Sequence, residues 1–298
     1  MLLFDFSDRS IKVLKLSSGF LARDTITAYV REEIRPGLIE DCEIVDSKNL
    51  AEEVKTVLSK ATPKPLVDQY AAFVIHDERS YTLRLNLPGP DSDKSLDEAE
   101  ITQQVETLLP VALTSQVSAF LGQEFISVDQ RIFSQYLDLF HALKLDGALA
   151  VPESHAIFTL LSPQILEGES ALFLDIGSET TDAVVMDKSG VIQTFTEPIE
   201  TTRLIEEVVG KLLPFIKDKF KVNIEKIFLG GGGVLTFDQK NFAEETKRNV
   251  ISAEEVLKTC PLSFKADFGK TTKLGFLSLF GLALLLKQKN PLNLIHRP

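Results

Sequence analysis

The chain has 298 residues, 44% hydrophobic and 25% charged, the balance of a soluble globular protein long enough for two domains or one two-lobed unit. A formal charge of −11 and a pI near 5.0 argue against nucleic acid and anionic membrane surfaces as general partners, while a local phosphate site remains open where backbone N–H groups and one Lys supply the field. Cys42 and Cys260 lie far apart without a C-x-x-C pair, which gives zinc and redox motifs no support and points to a reducing compartment.

The opening MLLFDFSDRS is interrupted by Asp5 and Asp8 and has no basic leader, so it does not read as a signal peptide. Residues 2–6 and 11–16 read as paired strands around a turn-forming SDRS, with a third strand over 20–30. Leu50, Val54, Val57 and Leu58 put an amphipathic helix over 49–60. Residues 71–75 form a buried strand and 81–87 a half-exposed one. PGPDSDK at 88–94 is a loop, and a helix over 96–109 stops at Pro110. Strands follow at 117–120 and 125–128, a helix at 134–143, a strand at 148–151 and a helix at 153–161.

The second half then repeats the opening pattern. Residues 171–176 form an apolar strand carrying Asp175, a Gly-Ser-Glu-Thr-Thr turn follows, and strands cover 183–186 and 191–196. A helix over 204–220 should kink at Gly210 and Pro214. A buried strand at 227–229 runs into Gly230, Gly231, Gly232 and Gly233, and helices cover 253–258 and 276–287. The apolar stretch 274–286 contains Gly275 and Gly281 and is shorter than the about 20 residues that a membrane span needs. Strand–Asp–turn–strand thus occurs twice, about half a chain apart. Chance is the competing explanation, because hairpins are common; the Asp shared at the end of each first strand weighs against it.

Three segments carry chemistry. In LFLDIGSETTDAVV, Asp175 ends a hydrophobic strand, where a carboxylate is costly without a partner. Gly177 allows close backbone approach, and Ser178, Thr180 and Thr181 offer hydroxyls beside N–H groups that can nest an anion. Such a turn can cradle phosphate while Asp175 meets Mg²⁺ through water. The plainer alternative is an ordinary hairpin with a polar turn. In the first hairpin, Asp5 matches Asp175, Ser7 stands where Gly177 stands, Asp8 and Ser10 add acceptors, and Lys12 can reach a terminal phosphate. The third segment, IFLGGGGVL, is followed by neither Lys-Ser/Thr nor a third dinucleotide-type glycine, so Gly230 to Gly233 read as a base- or ribose-facing turn. A flexible loop is the alternative. The histidines at 76, 141, 155 and 296 show no metal spacing, no G-x-S-x-G elbow occurs, and Glu153 could polarise water, bind metal or simply favour a helix start.

These three segments, in this order, resemble the phosphate-1, phosphate-2 and adenosine motifs of the actin/Hsp70/sugar-kinase superfamily. Within it the sequence is similar to the PilM-type actin-like proteins of type IV pilus assembly. The likeness rests on D-x-S-x-x-S-I-K-V-L at the start, on IRPGLIEDCEIVDSKNLAEEVKTVL, on a helix ending at Leu109–Pro110, and on the second phosphate and adenosine motifs. The resemblance implies an α/β, actin-like (ribonuclease H-like) fold of two lobes with mixed sheets flanking a nucleotide cleft. An N-terminal lobe over 1–150 would include a small 1C-type subdomain at about 65–147, and a C-terminal lobe would cover 151–298.

By the same resemblance, ATP with Mg would be bound by Asp5, Ser7, Asp8, Ser10, Lys12, Asp175, Gly177, Ser178, Thr180, Thr181 and Gly230 to Gly233, with Asp5 and Asp175 meeting Mg through water. The role implied is a cytoplasmic scaffold or switch at the inner-membrane face, linked to a motor ATPase and to the tail of a PilN-like membrane protein in a surface groove. Ser7 in place of the family's glycine implies a crowded phosphate turn and weak or absent hydrolysis. NPLNLIHRP, residues 290–298, resembles the Asn-Leu-Leu-Pro tail of PilN-type partners. It would lead into a membrane-anchored part, occupy a groove on its own chain, or fray. The alternatives are an FtsA-like filament-forming division protein, whose amphipathic terminal helix residues 290–298 do not supply, and a kinase or phosphatase of the superfamily.

Overall fold

The computed structural model describes residues 1–17, 24–62, 65–85, 98–121, 123–177, 181–197, 203–268 and 273–295. In chain order the strands are β1 (Leu2–Phe6), β2 (Ser10–Ser17), β3 (Thr25–Glu33), β4 (Ile39–Glu40), β5 (Glu43–Ile44), β6 (Tyr70–Ile75), β7 (Ser80–Arg84), β8 (Gln116–Leu121), β9 (Glu124–Asp129), β10 (Asp146–Pro152), β11 (Ser170–Ile176), β12 (Thr181–Asp187), β13 (Gly190–Glu197), β14 (Ile224–Gly230), β15 (Asn249–Ser252) and β16 (Ser263–Phe264). The first half of the chain contributes the helices α1 (Ser47–Ser59), α2 (Glu98–Leu108), α3 (Gln130–Ala142) and α4 (Glu153–Leu161). The chain divides into two compact units. One contains Met1–Ala156, Pro261–Asp267 and Ser278–Pro298; the other contains Ile157–Cys260 and Phe268–Leu277. Residues 261–267 and 278–295, which sequence reading assigns to the second half, therefore pack with the first unit.

The sheet of the first unit runs β10-β6-β1-β2-β3-β16. Its centre, β1, is buried along its whole length. A strand covered on both faces reads as an unbroken apolar run rather than an alternation, and Asp5 is the polar break in that run. Helix α3 covers one face. Asp129 caps it, accepting from the N–H groups of Arg131 at 2.9 Å and Ile132 at 3.3 Å. Its buried stripe, Ile132, Phe133, Tyr136, Leu139 and Phe140, meets β1 and β6 through an aromatic cluster in which Phe73 and Phe140 are 4.8 Å apart and Phe4 and Phe140 5.2 Å apart, ring centre to ring centre. Because Asp129 also ends β9, the helix begins four residues before the 134 expected from periodicity. Strands β7, β9 and β8 form a separate antiparallel sheet, with a small core of Leu85, Val105, Leu109 and Phe125.

The sheet of the second unit runs β13-β12-β11-β14-β15. Its five strands repeat five of the six strands of the first sheet, β16 being the extra one. In each, three antiparallel strands form a meander (β1-β2-β3 and β11-β12-β13), and two further strands pair in parallel on the other side (β6 and β10; β14 and β15). The duplication seen in sequence as two hairpins thus extends over five strands. The helix expected over 204–220 is present as Leu204–Glu207 and Leu213–Phe220, joined by a π-helical turn at Val208–Leu212. The expected irregularity takes this form because Pro214 has no N–H for the helical ladder.

Residues after the C-terminal helix (Leu277–Leu285) close the edge of the first sheet. Asn293 accepts the Ala150 N–H at 3.0 Å through Oδ1 and donates Nδ2–H to the Ala148 carbonyl at 3.1 Å, and the Leu294 N–H reaches the Ala150 carbonyl at 2.9 Å. Leu292 and Leu294 are 2% and 0% exposed, within the same core as α1 and α3. Of the readings open in sequence, a frayed end does not fit these residues. Deleting residues 290–298 exposes two buried leucines and the edge of β10. It should lower the unfolding free energy by about 4 kcal/mol, at roughly 2 kcal/mol per leucine. A urea denaturation midpoint identical to the full chain would show that the segment contributes no packing.

Candidate functional site

In the first unit, cross-strand register places Asp5 directly opposite Lys12. Lys12 Nζ donates to Asp5 Oδ2 at 2.9 Å, and Ser278 Oγ donates to the same oxygen at 3.1 Å. Burial alone would push the Asp5 carboxyl up. The Lys12 charge and hydrogen bond, then His76 and the Ser278 hydroxyl, outweigh burial and hold it below the usual carboxylate range. At the tip of this hairpin Ser7 and Ser10 bind each other: Ser7 Oγ accepts the Ser10 N–H at 3.0 Å and lies 3.0 Å from the Ser10 hydroxyl. Asp8 is occupied elsewhere. Its carboxylate accepts the N–H groups of Asp41 and Cys42, each at 2.8 Å. Asp5, Ser7, Ser10 and Lys12 therefore belong to one hairpin end, while Asp8 anchors a neighbouring turn.

In the second unit, Asp175 lies opposite Asp182 on β12 and beside Gly230 on β14. Asp182 accepts the Thr196 hydroxyl at 2.7 Å. Thr181 is buried where β12 begins, and Gly177 follows the end of β11. Ser178 and Thr180 lie outside the described residues. The glycine turn packs directly on the end of β11. Gly231 has φ +86°, and a Cβ there would sit 2.2 Å from Asp175 Oδ1 and 2.4 Å from the Ile176 carbonyl oxygen. A Cβ on Gly233 would fall 2.9 Å from that carbonyl and 3.0 Å from the carbonyl of Gly177. At Gly230 it would strike Phe173 and Leu277, whereas at Gly232 it would meet open space. Gly231 and Gly233 are thus required by close approach to main chain, Gly230 packs under side chains, and Gly232 presents bare main chain outward.

Chemically, the second unit offers a carboxylate, a hairpin turn and a side-chain-free turn at the carboxyl-terminal ends of two parallel strands. That is the end of an α/β sheet at which ligands are commonly held. The first unit offers a carboxylate–ammonium pair at the equivalent strand end. Sequence reading missed Ser278 and passed over His76, while Glu153 stood as an open candidate. Ser278 reaches Asp5 from the C-terminal helix and has no local signal. His76 and Glu153 follow β6 and β10, and the His76 Nε2 to Glu153 Oε2 distance is 3.5 Å. The full five-strand repeat could have nominated both, because β6 and β10 are the counterparts of β14 and β15.

Replacing Lys12 with Met leaves Asp5 buried without its cation, and the expected cost is about 3 kcal/mol at neutral pH. The pH dependence has a definite sign. Asp5 is depressed below 3.8 in the folded wild type, so its contribution is present above 3.8 and is lost as pH falls through the folded value. Without Lys12 burial raises the carboxyl instead, and protonation relieves the variant. The stability gap between wild type and Lys12→Met should therefore narrow between pH 7 and pH 4 in paired urea melts. A gap that stays constant or widens would contradict the ion pair.

No family model and no curated protein sequence matches this chain. Solved structures do. A chain of the PilM–PilN type IV pilus biogenesis complex is similar at a TM-score of 0.69 and 14% identity, over 95% of this chain and 97% of that one. A Bacteroides thetaiotaomicron protein with an actin-like ATPase fold and unknown function is similar at 0.53 and 10% identity, over 87% and 95%. The cytoplasmic domain of EpsL, an inner membrane component of the type II secretion system of Vibrio cholerae, is similar at 0.50 and 11% identity, over 99% and 98%. The duplicated five-strand sheet and these likenesses give the chain the actin-like α/β fold, as the sequence resemblance implied.

Proposed function

We propose that this chain binds Mg–ATP and works as a scaffold or switch of a membrane-associated assembly platform, of the type IV pilus or a related secretion system. The observation that carries the nucleotide reading is the junction of Asp175 with the glycine turn. Register sets Asp175 beside Gly230, and Gly231 leaves no room for any side chain against that carboxylate. A carboxylate, a polar hairpin turn and bare main chain at neighbouring strand ends are the parts a nucleotide needs: a metal acceptor, phosphate-facing N–H groups and a flat surface for the ribose or base.

The residues fit the group. Asp175 is half-buried at a strand end and suits Mg²⁺ held through water. Asp5 already accepts from Lys12 and Ser278, which also favours an indirect metal contact. Lys12 would turn from Asp5 toward a terminal phosphate. Ser7, Ser10, Gly177, Ser178, Thr180 and Thr181 would line the phosphates, and Gly230 to Gly233 the ribose or base. Asp8 supports the hairpin through residues 41 and 42. The Ser7–Ser10 contact narrows the first turn, in keeping with slow or absent hydrolysis.

The platform reading is supported by likeness to a chain of the PilM–PilN complex and to the EpsL cytoplasmic domain. No helix among the described residues is long and apolar enough to cross a membrane. By those likenesses the chain would act at the cytoplasmic face of the inner membrane through partners: a PilN-like membrane protein whose tail enters a surface groove, and a cytoplasmic motor ATPase.

Calorimetry with ATP and Mg²⁺ tests the nucleotide reading. Asp175→Ala should remove the Mg-dependent part of the affinity, a loss of about tenfold or more for one charged ligand contact. Gly231→Ala should weaken binding through displacement of the same carboxylate. Asp175→Ala binding as tightly as wild type, with chelator making no difference to either, would defeat the proposal.

A further inference from the structure

Strands β4 and β5 form a minimal hairpin, with Ile39 opposite Ile44 and Glu40 opposite Glu43. Its two turn residues, Asp41 and Cys42, both have positive φ, 48° and 61°. Two successive left-handed residues are the signature of a type I′ turn, whose second position is normally glycine. Here that strained position holds a buried cysteine. Strain of this kind persists only where the surroundings impose it, and it gathers at functional sites. The surroundings do impose it. Asp8 takes the N–H groups of both turn residues, Tyr136 Oη donates to the Cys42 carbonyl at 3.1 Å, and Arg79 Nε donates to the Asp41 carbonyl at 2.6 Å.

The Arg79 contact ties this turn to the 3-10 turn Asp77–Arg79, which follows β6 and carries Glu78, with His76 immediately before it. Cys42 Sγ, an imidazole nitrogen of His76 and a carboxylate oxygen of Glu78 consequently lie within 4.8 Å of one another, the single such His/Cys/acid group among the described residues. We propose that Cys42, His76 and Glu78 form a binding site for a zinc-class transition-metal cation, with the exposed Glu78 side open to water. The inference is independent of the nucleotide reading.

The donor set decides the class of ion. Thiolate, imidazole and carboxylate together suit Zn²⁺ and its neighbours, whereas Mg²⁺ takes oxygen ligands and keeps its waters. Metal–ligand bonds of about 2.0 to 2.3 Å put tetrahedral donor atoms about 3.3 to 3.8 Å apart, so side-chain rotations of about an ångström complete the site. The Glu153 carboxylate, 3.5 Å from His76 Nε2, is the kind of partner that orients a metal-binding imidazole. Burial, followed by the charges of Asp8, Glu78 and Glu153, pushes the Cys42 thiol up, and the Arg79 cation offsets this only in part. The thiol is thus protonated without metal. Coordination would displace that proton to solvent, because a bound transition metal deprotonates its thiol outright. Sequence spacing hides the set, since Cys42 comes from one hairpin and His76 and Glu78 from the end of another strand.

Cobalt substitution in the chelator-treated full chain tests the proposal. Wild type should take up one Co²⁺ with a thiolate-to-cobalt charge-transfer band, displaced by Zn²⁺. The band should survive Cys260→Ser and vanish in Cys42→Ser and Cys42→Gly. The glycine variant suits the turn, so an unchanged far-ultraviolet spectrum separates lost binding from lost folding. Glu78→Gln, on the surface, should weaken Zn²⁺ binding by about tenfold or more. Absence of the band in wild type, its persistence in Cys42→Ser, or Zn²⁺ affinity unaltered by Glu78→Gln would each overturn the assignment.

Discussion

At the carboxyl-terminal ends of β11 and β14, the main chain of one strand lies against a turn that has no space for a Cβ. A methyl group on Gly231 would come 2.2 Å from the Asp175 carboxylate and 2.4 Å from the Ile176 carbonyl oxygen, well inside any tolerable contact. Position 231 can therefore only be glycine, and Asp175 can only be where it is while that position remains bare. Register, backbone conformation and the position of the acid form one constraint. A substitution at any of these points shifts the other two.

The two units share a strand order but use their strand ends differently. In the first, a nearly inaccessible Asp5 is neutralised by Lys12 from the adjacent strand and by a hydroxyl from the C-terminal helix. A buried carboxylate of this kind is costly without such partners, so the hairpin and the distant helix residue are required together. In the second, Asp175 is half-buried and lies against the buried, side-chain-free main chain of Gly231. The first arrangement is an ion pair, and the second sets a carboxylate against a glycine turn. His76 and Glu153 end the parallel strands of the first unit, whereas glycine ends β14 of the second. The parallel strands thus lead into ionisable groups in the first unit, whereas β14 leads into a glycine turn in the second.

Much of this was legible in sequence. The hairpins, their acids, the buried run of β1 and the glycine turn all leave local marks: apolar strands broken by Asp, and four consecutive glycines. The kinked helix was also foreseeable, because Gly210 falls within the π-helical turn and Pro214 just after it. What stayed hidden is non-local. Strands of two residues, such as β4 and β5, carry no period, and their Asp-Cys turn lacks the glycine that advertises a type I′ hairpin. Asp8 reads as a phosphate-facing acid because nothing nearby in sequence reveals the backbone N–H groups it holds, more than thirty residues away. Ser278, Asn293 and Leu294 act on strands from far along the chain, and their roles follow from tertiary packing alone.

Hydrogen–deuterium exchange of the full chain with and without ATP and Mg²⁺ probes the central claim most directly, because it reports on each segment separately. The account predicts slowed exchange at residues 5–12, 175–181 and 230–236 together, removed by chelating the metal. Protection confined to other surfaces, or identical exchange in saturating nucleotide, would contradict it.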